Sequence, residues 1–176
     1  VITFHTPLTR EGKFATYHLA DEEFFKTLQE NNPNNTPSLI INAARGGIIN
    51  ENALLSHLSQ LSNIAIDCWD GEPETNSELR QRALIATPHI AGYSADGKLN
   101  ATQQVVQAVA IALNITPNTI EGLSEKKTTD KEGDELKDEL LNNYNILADS
   151  DALKAEPEKF EYFRSNYPVR RELNLI

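Results

Sequence analysis

The sequence predicts an α/β fold built on an open parallel sheet. Short apolar runs at Leu39–Ile41, Ile64–Ile66 and Ala83–Ala86 alternate with helical patterns along the chain. Strands that alternate with helices through short loops form parallel sheets with right-handed crossovers. At 176 residues, 39% of them hydrophobic, the chain is long enough and apolar enough to bury a substantial core. We therefore expect strands and helices to alternate in order, followed by a smaller C-terminal unit.

The first strand is predicted at Val1–His5, where the chain opens on an apolar, β-prone run. A short helix over Asp21–Leu28 follows, because acidic residues in its first turn suit the helix dipole. Residues 31–37 contain Asn and Pro in a pattern that ends the helix. The second strand is then predicted over Ser38–Asn42.

The second helix is predicted to begin at Asn50 as N-cap, with Leu54, Leu58 and Leu61 spaced so that they face the sheet. A third strand is expected at residues 63–68. After a connection over residues 73–82, a fourth strand is expected at residues 83–86.

The last long element of this region is a helix that Ser94 caps and that runs to about Asn114. Residues 121–139 contain mostly charged side chains, which predicts a solvated linker or the exposed start of a helix. We therefore expect one domain over residues 1–115 and a second over residues 116–176.

Apolar residues return after residue 140 but are too few to form a self-sufficient core. We expect them to be buried against a second copy of the chain, which would make the C-terminal unit a dimerisation domain. These residues are Leu140, Leu141, Tyr144, Ile146, Leu147, Leu153, Phe160, Tyr162, Phe163 and Tyr167.

The start of the chain predicts that it is the C-terminal part of a longer protein. No methionine is present, and Val1 opens directly on a strand. The eight glycines form neither a G-x-G-x-x-G loop, nor a P-loop, nor a G-x-S-x-G elbow. We expect about half of a nucleotide-binding domain to lie upstream.

Charge and composition exclude several classes of partner. A net charge of −10 with a pI near 4.8 argues against nucleic acid and anionic membranes, which attract clustered Lys and Arg. The single cysteine, Cys68, cannot form an internal disulfide, and neither a leader nor a run of 18 apolar residues is present. The cytoplasm is the default compartment.

Three residues that follow apolar runs form a candidate catalytic set: Arg45, Glu72 and His89. Residues just past parallel strands lie at the edge of the sheet where ligands bind. An arginine beside Gly46 and Gly47 can hold a carboxylate with two bonds, and a His–carboxylate pair is a proton-transfer unit. A surface salt bridge is the alternative reading of Arg45. We expect Glu72 and His89 to lie about 3 Å apart, with Arg45 facing the same cleft.

The other candidates are weaker. His5 could contact a ligand, although a histidine bonded into a turn is the more common case, and His18 and His57 are expected to be solvated. Cys68 is expected to be a small buried hydrophobe, because no second Cys or His stands at metal-ligand spacing. We therefore expect no metal site.

Four segments in order resemble the successive motifs of the D-2-hydroxyacid dehydrogenases: His5–Thr9, Asn42–Gly47, Asp67–Pro73 and Thr87–Gly92. The resemblance implies the C-terminal part of a Rossmann-type doubly wound sheet and an NAD cofactor. It implies that Arg45 holds the substrate carboxylate, that His89 takes the hydroxyl proton and that Glu72 orients His89. The positions that match NAD contacts of the family are Thr6, Ala43, Ala44, Arg45, Asp67 and Gly92, and Tyr93 matches a substrate contact.

Within the family, the segment Gly92–Lys98 and the tail segments Asp149–Leu153 and Phe163–Pro168 are similar to a branch that oxidises a phosphorylated 2-hydroxy acid. That branch carries a C-terminal dimerisation domain, so the resemblance implies a homodimer. Two alternatives stay open. The chain could come from a phosphoglycerate or glyoxylate type of dehydrogenase, or it could be a non-catalytic module for dimerisation or NAD binding.

Overall fold

The computed structural model describes residues 1–31, 39–58, 63–117, 122 and 125–175. Contacts divide the chain into two compact units. The first comprises Val1–Ile90 and Ile146–Asn166, and the second comprises Ala91–Asn145 and Tyr167–Ile176. This grouping does not follow the expected boundary at residue 115. The assignment of residues 1–115 to a cofactor domain and residues 116–176 to a dimerisation domain stays a prediction.

The first unit contains a four-stranded parallel sheet, which confirms the predicted fold class. Its strands are β1 (Ile2–Phe4), β2 (Leu39–Asn42), β3 (Asn63–Ile66) and β4 (Ile85–Ala86), in the order β1-β2-β3-β4. All three strand pairs are parallel. The carboxyl ends of the four strands therefore lie at one edge. The predicted positions of Ser38 and Leu61 fall outside the described residues.

Three helices connect these strands: α1 (Glu22–Glu30), α2 (Glu51–His57) and α3 (Ser77–Arg82). The predicted N-cap of α2 is confirmed, since the Asn50 side chain accepts a hydrogen bond from the amide of Ala53 at 3.1 Å. Helix α3 was predicted as a plain connection. It contains a single buried apolar residue, Leu79, so the sequence shows no helical periodicity there.

Residues 146–166 pack on the sheet of the first unit, which corrects the expectation that their apolar side chains are buried only in a dimer. They form α6 (Ile146–Ala155) and α7 (Phe160–Ser165), and Leu153 and Phe160 join the core with 0% and 1% of their surface exposed. Ser150 also accepts the amide of Ala86 in β4 at 3.0 Å. The helices cover the outer strand of the sheet, so Leu153 and Phe160 find their packing partners within the same chain.

The second unit contains α4 (Ala95–Leu113), α5 (Gly133–Asn143) and a parallel pair of strands, β5 (Lys127–Thr129) and β6 (Leu173–Leu175). Helix α4 starts after Ser94, as predicted, and ends at Asn114 in a left-handed conformation.

Most described residues of the charged stretch 121–139 are exposed, and the stretch contains the predicted exposed start of a helix. It contains β5 and most of α5, and Glu139 is its buried charged residue among those described. Glu139 is buried, binds Lys127 and Lys131, and accepts a hydrogen bond from Thr129 Oγ1 at 2.7 Å. Hydrogen bonds from Lys127 and Thr129 lower the pKa of the Glu139 carboxyl to about 2. The sequence therefore predicted the exposure of most of this stretch but not the burial of Glu139, because its ion pairs could not be read from the sequence.

Across the described part of the chain, no helix has both the length and the apolar character needed to span a bilayer.

Candidate active site

The segments that follow the four strands form what we call the strand-end edge. It consists of Thr6 after β1, Ala43–Gly47 after β2, Asp67–Pro73 after β3 and Thr87–Ile90 after β4. Because the strands are parallel and adjacent, these segments come to the same side of the sheet. Every predicted catalytic residue lies in one of them.

Glu72 and His89 form the predicted pair. His89 Nδ1 lies 2.8 Å and 3.1 Å from the two carboxylate oxygens of Glu72, and a quarter of the imidazole remains exposed. Burial raises the pKa of Glu72, but hydrogen bonds from His89 and from the amide of Trp69 outweigh that effect, so the pKa is lowered overall. The carboxylate thus stays ionised and fixes the ring through Nδ1, which leaves Nε2 as the nitrogen that can exchange a proton with a ligand.

The backbone of His89 adopts a left-handed conformation, with φ of 56°. A side chain with a Cβ in this region costs about 1–2 kcal/mol, so the surrounding structure must hold it there. The main restraint is Asp67. Its carbonyl accepts the His89 amide at 2.9 Å, and its carboxylate accepts the Thr87 hydroxyl and the Ile90 amide, both at 2.7 Å. Asp67 therefore shapes the loop that presents His89.

Trp69 connects the loops that carry Glu72 and His89. Its amide donates to Glu72 at 2.8 Å, and its indole Nε1 donates to the carbonyl of Thr87 at 2.9 Å. The ring is buried, with 2% of its surface exposed. Sequence reasoning gave this residue no role, although it lies within a motif that was singled out.

Gly46 explains how the loop after β2 approaches the loop after β3. A Cβ at this position would lie 1.8 Å from the carbonyl oxygen of Trp69, so only glycine fits. The side chain of Asn42 adds bonds to the carbonyls of Arg45 and Cys68 at 3.0 and 3.2 Å. The backbone of Arg45 is thereby fixed against the loop that carries Glu72.

The side chain of Arg45 is exposed, and its guanidinium donates to the carbonyl of Ala44 at 2.6 Å. It is close enough to Cys68 to lower the pKa of that thiol in part. Its orientation toward a common cleft with His89 stays a prediction. An exposed guanidinium on a fixed backbone is suited to take up a carboxylate when a ligand arrives.

The fold brings Cys68 near the pair, although sequence spacing had suggested no companion for it. Its sulfur and the ligand atoms of Glu72 and His89 all lie within 4.8 Å of one another. Burial is the main cause that raises the pKa of the Cys68 thiol far above its usual range. The contact of His89 Nδ1 with the Glu72 carboxylate makes these two residues an acid–base pair, with Cys68 as their buried neighbour.

Glu51 is a further titratable group at this edge that the sequence did not reveal. It is buried at the start of α2, and its carboxylate accepts the amide of Asp70 at 2.8 Å. Burial raises the pKa of Glu51 to about 7 despite that hydrogen bond. An acidic residue after an N-cap is ordinary helix chemistry, so nothing in the sequence distinguished it.

Two histidines expected to be solvated have partners instead. His18 Nε2 lies 3.2 Å from Asp70, and its ring stacks on Tyr17 with centroids 3.9 Å apart. His57 lies 2.6 Å from Glu22, and only 12% of its side chain is exposed. Their partners lie far away in sequence, which is why a local pattern could not predict them. His5 is exposed and lies 3.0 Å from the hydroxyl of Thr3.

Thr6 provides a test of whether the edge suits the expected cofactor. Among the described side chains, its hydroxyl oxygen is one of two buried polar atoms without a hydrogen-bond partner. A buried hydroxyl without a partner is unfavourable, and a ligand can supply the missing bond. Thr6 is also one of the positions matched to NAD contacts, so the residues present fit a cofactor with polar groups. The other matched residues at this edge are Ala43, Ala44, Arg45 and Asp67.

Gly92 and Tyr93 lie in the second unit, immediately after the His89 loop in sequence. Gly92 is exposed, and Tyr93 is half-buried with Lys98 Nζ 4.3 Å from its ring centroid. Their roles in binding cofactor and substrate stay predictions.

Comparison with known proteins identifies the family. Residues 1–91 match the model of the D-isomer specific 2-hydroxyacid dehydrogenase NAD binding domain. An erythronate-4-phosphate dehydrogenase from Bacteroides thetaiotaomicron is 42% identical over 174 residues, and one from Coxiella burnetii is 34% identical over 185 residues. These alignments cover 98% and 100% of this chain but 48% of each relative. The chain thus spans about half the length of the curated relatives it matches.

Two solved structures are similar to this chain in fold. The D-mandelate dehydrogenase of Rhodotorula graminis is similar with a TM-score of 0.50 and 26% identity, over 61% of this chain and 29% of that one. A glyoxylate reductase from Paecilomyes thermophila shares the fold, with a TM-score of 0.50 and 23% identity over 64% and 34% of the two chains. Since the family model covers more than half of the chain and its motifs form one edge of a parallel sheet, the chain belongs to the D-isomer specific 2-hydroxyacid dehydrogenase family, of which it carries NAD-binding domain sequence.

Proposed function

We propose that this chain is the part of an NAD-dependent erythronate-4-phosphate dehydrogenase that carries the acid–base pair. The intact protein would oxidise the C2 hydroxyl of 4-phospho-D-erythronate to the ketone of 2-oxo-3-hydroxy-4-phosphobutanoate. The observation that carries this proposal is the 2.8 Å contact between His89 and Glu72 at the end of a parallel sheet. The choice of substrate rests on the name shared by relatives that match nearly the whole chain.

In this reaction the C2 hydroxyl would lose its proton to His89 Nε2. NAD, held by the matched positions, would supply the acceptor for the hydride from C2. Glu72 holds the imidazole through Nδ1 and stabilises the imidazolium that forms. The proton is released to solvent when the ring returns to its neutral form, so protons and electrons balance. The partial exposure of His89 gives both the substrate and water a route to the ring.

Arg45 would bind the substrate carboxylate and polarise the C2 oxygen. A planar guanidinium forms two parallel bonds with a carboxylate, which orients the substrate as well as holding it. Gly46 supports this role indirectly, because its close contact with Trp69 fixes the backbone that carries Arg45. The bond to the Ala44 carbonyl would be exchanged for the substrate carboxylate.

We assign the cofactor contacts to the matched positions Thr6, Ala43, Ala44, Arg45, Asp67 and Gly92, and a substrate contact to Tyr93. The hydroxyl of Thr6 supports this assignment because it is buried and has no hydrogen-bond partner among the described residues. We also propose that the product serves the biosynthesis of pyridoxal 5'-phosphate, vitamin B6, and that the protein acts in the cytoplasm.

We also propose that the intact protein is a homodimer. Leu153 and Phe160 are buried within the chain and so do not need a second copy to cover them. Other apolar side chains of the tail remain exposed: Leu140 at 43%, Leu147 at 48% and Tyr162 at 62%. Apolar side chains of this size on a tail are available for an interface. Sedimentation of the intact protein before and after replacement of the exposed residues Leu140, Leu147 and Tyr162 by serine would test this proposal, since these changes leave the core residues Leu153 and Phe160 in place.

The proposed reaction is tested with the full-length protein encoded by the reading frame that contains this chain. Formation of NADH is measured with 4-phosphoerythronate, 3-phosphoglycerate and glycolate as substrates at equal concentrations. We expect 4-phosphoerythronate to have a kcat/KM at least about tenfold above the other two, a difference of about 1.4 kcal/mol in transition-state binding. Preference for another acid would assign the chain to a different dehydrogenase of the family, and the absence of any turnover would favour a non-catalytic module.

A further inference from the structure

The C-terminal segment Tyr167–Glu172 is bound to the segment Ala91–Gly97, which contains Tyr93. Arg170 and Ser94 form a parallel β-bridge, and the amide of Ala95 donates to the Arg170 carbonyl at 2.8 Å. The guanidinium of Arg170 returns a bond to the carbonyl of Ala91, also at 2.8 Å. We call Tyr167–Glu172 the tail strap.

The strongest attachment is between Arg171 and Asp96. Two nitrogens of the Arg171 guanidinium each lie 3.0 Å from a different oxygen of the Asp96 carboxylate, and the amide of Glu172 lies 2.9 Å from the same carboxylate. Asp96 is buried, with 5% of its surface exposed. Bidentate charge-assisted bonds of this kind are both strong and directional.

These bonds are not needed to begin α4. The N-cap role belongs to Ser94, whose hydroxyl accepts the amide of Gly97 at 2.8 Å. Asp96 instead directs its carboxylate to two residues of the tail strap. The Asp96 side chain therefore attaches the strap and does not cap α4.

Glu172 closes the attachment from the other side. It accepts a hydrogen bond from the Ser94 hydroxyl at 2.5 Å and pairs with Lys126 at 2.6 Å. A Cβ at Gly97 would lie 2.9 Å from the Ser94 hydroxyl oxygen and 3.3 Å from the carbonyl of Gly92. Glycine at position 97 is therefore what lets the loop, the helix start and the strap pack this closely.

The ring of Tyr93 contacts the same strap. It packs edge-on against Tyr167, with centroids 6.1 Å apart, and Tyr167 packs in turn against Tyr144 at 6.4 Å. Lys98 Nζ lies over the Tyr93 ring at 4.3 Å, and Arg170 lies over the Tyr144 ring at 4.1 Å. Edge-to-face packing of this kind favours one orientation of the Tyr93 ring.

We propose that the tail strap is a positioning device for the substrate, in which Arg171 acts through Asp96 to fix the loop and ring of Tyr93. This inference rests on the proposed function, because it assigns Tyr93 to the substrate. Arg171 contacts neither substrate nor cofactor in this scheme. The C-terminal residues would then determine substrate affinity in addition to any part they play in assembly.

The test compares Arg171→Met, Arg171→Lys and Asp96→Asn with the unchanged full-length protein, using steady-state kinetics with 4-phosphoerythronate and NAD. We expect Arg171→Met and Asp96→Asn to raise the KM for 4-phosphoerythronate about tenfold, while kcat and the KM for NAD change less than about threefold. Arg171→Lys should recover part of the loss, since a lysine restores the charge but not the bidentate geometry. The matched control is Arg82→Met, which removes an arginine from a surface pair with Glu78.

Hydrogen exchange of the amides at residues 91–98 gives a second readout that needs no substrate. We expect faster exchange there in Arg171→Met, with unchanged exchange at residues 64–66 of β3 as evidence that the sheet remains folded. An Arg171→Met protein with an unchanged KM for 4-phosphoerythronate would overturn the positioning role alone. An unchanged protein that does not oxidise 4-phosphoerythronate would instead overturn the proposed function, and the substrate role of the strap with it.

Discussion

The strand-end edge and the segment Ile146–Asn166 belong to one compact unit but use their side chains differently. At the edge, side chains such as Glu72 and His89 stay partly exposed, are titratable and depend on hydrogen bonds. In the segment, Leu153 and Phe160 are fully buried and apolar. The comparison indicates that the edge provides chemistry and the segment provides stability. Substitutions in the two regions should therefore affect activity and folding separately.

The largest effect is expected for His89→Asn at the edge. Removing a positioned general base costs about 10²–10⁴ in rate, so kcat of the full-length protein should fall by that factor. The free energy of unfolding should change by less than about 1 kcal/mol, because the imidazole is partly exposed and asparagine tolerates a positive φ. Steady-state kinetics and urea denaturation measure the two quantities.

His5→Asn is the matched control for this prediction, since His5 is an exposed histidine that also follows a strand. It should leave kcat unchanged within about twofold. The kcat of Glu72→Gln should lie between those of His89→Asn and His5→Asn. Glutamine can still accept a hydrogen bond from His89 Nδ1 but carries no charge to stabilise the imidazolium. A His89→Asn protein that retains most of its activity would show that the edge does not use this pair.

The converse result is expected for Phe160→Ala in the segment. Truncating a fully buried phenylalanine costs about 3–5 kcal/mol of unfolding free energy through lost burial and the cavity left behind. Urea denaturation of this chain should show the loss at every protein concentration, because Phe160 is buried within the chain itself. Tyr162→Ala, at a position 62% exposed, is the control and should cost less than about 1 kcal/mol. Equal, small losses in both variants would mean that the segment does not pack on the sheet.

The same comparison explains what the sequence could predict. The strand-end residues were predictable because parallel topology brings the residues after each strand to one edge whatever the details of packing. Glu72, His89 and the N-caps at Asn50 and Ser94 followed from such local rules.

Features that depend on distant partners were not predictable. The sequence showed that Leu153 and Phe160 were apolar but not that the sheet of the same chain would cover them. Glu139 lay in a stretch that its charge marked as solvated, whereas the fold surrounds it with Lys127 and Lys131. Likewise Arg171 meets Asp96 across 75 positions, which no local pattern records.

Glu51, a buried group of α2 that contacts the edge through Asp70, makes a contribution to stability that depends on pH. Its pKa is raised from 4.5 to about 7 by burial, so the folded chain holds a proton that the unfolded chain releases in this range. Stability should therefore fall as the pH rises from 4.5 toward 7 and level off above that. At about 1.4 kcal/mol per pKa unit, the loss amounts to at most about 3 kcal/mol.

Glu51→Gln should remove that part of the pH dependence. The amide oxygen of glutamine can still accept the bond from Asp70, so the variant should be more stable than the unchanged chain above neutral pH and similar to it below about pH 5. Urea denaturation across this pH range measures the difference. Glu11→Gln, which alters an exposed carboxyl, serves as control. Parallel pH curves for Glu51→Gln and the unchanged chain would mean that Glu51 titrates near its ordinary pKa.

The smallest effect is expected for Thr6→Val. This substitution separates the contribution of the Thr6 side chain to stability from its contribution to NAD binding. The Thr6 hydroxyl is buried without a partner among the described residues, so replacing it with a methyl group of similar size should leave stability unchanged or raise it by up to about 1 kcal/mol. If NAD supplies the missing partner, the same substitution should weaken NAD binding about three- to tenfold, the value of one hydrogen bond. Isothermal titration calorimetry of the full-length protein with NAD measures the affinity. A loss of stability without a change in NAD affinity would mean that the Thr6 hydroxyl stabilises the fold and does not bind NAD. Thr6 would then be an exception to the rule that the edge provides chemistry and the segment provides stability.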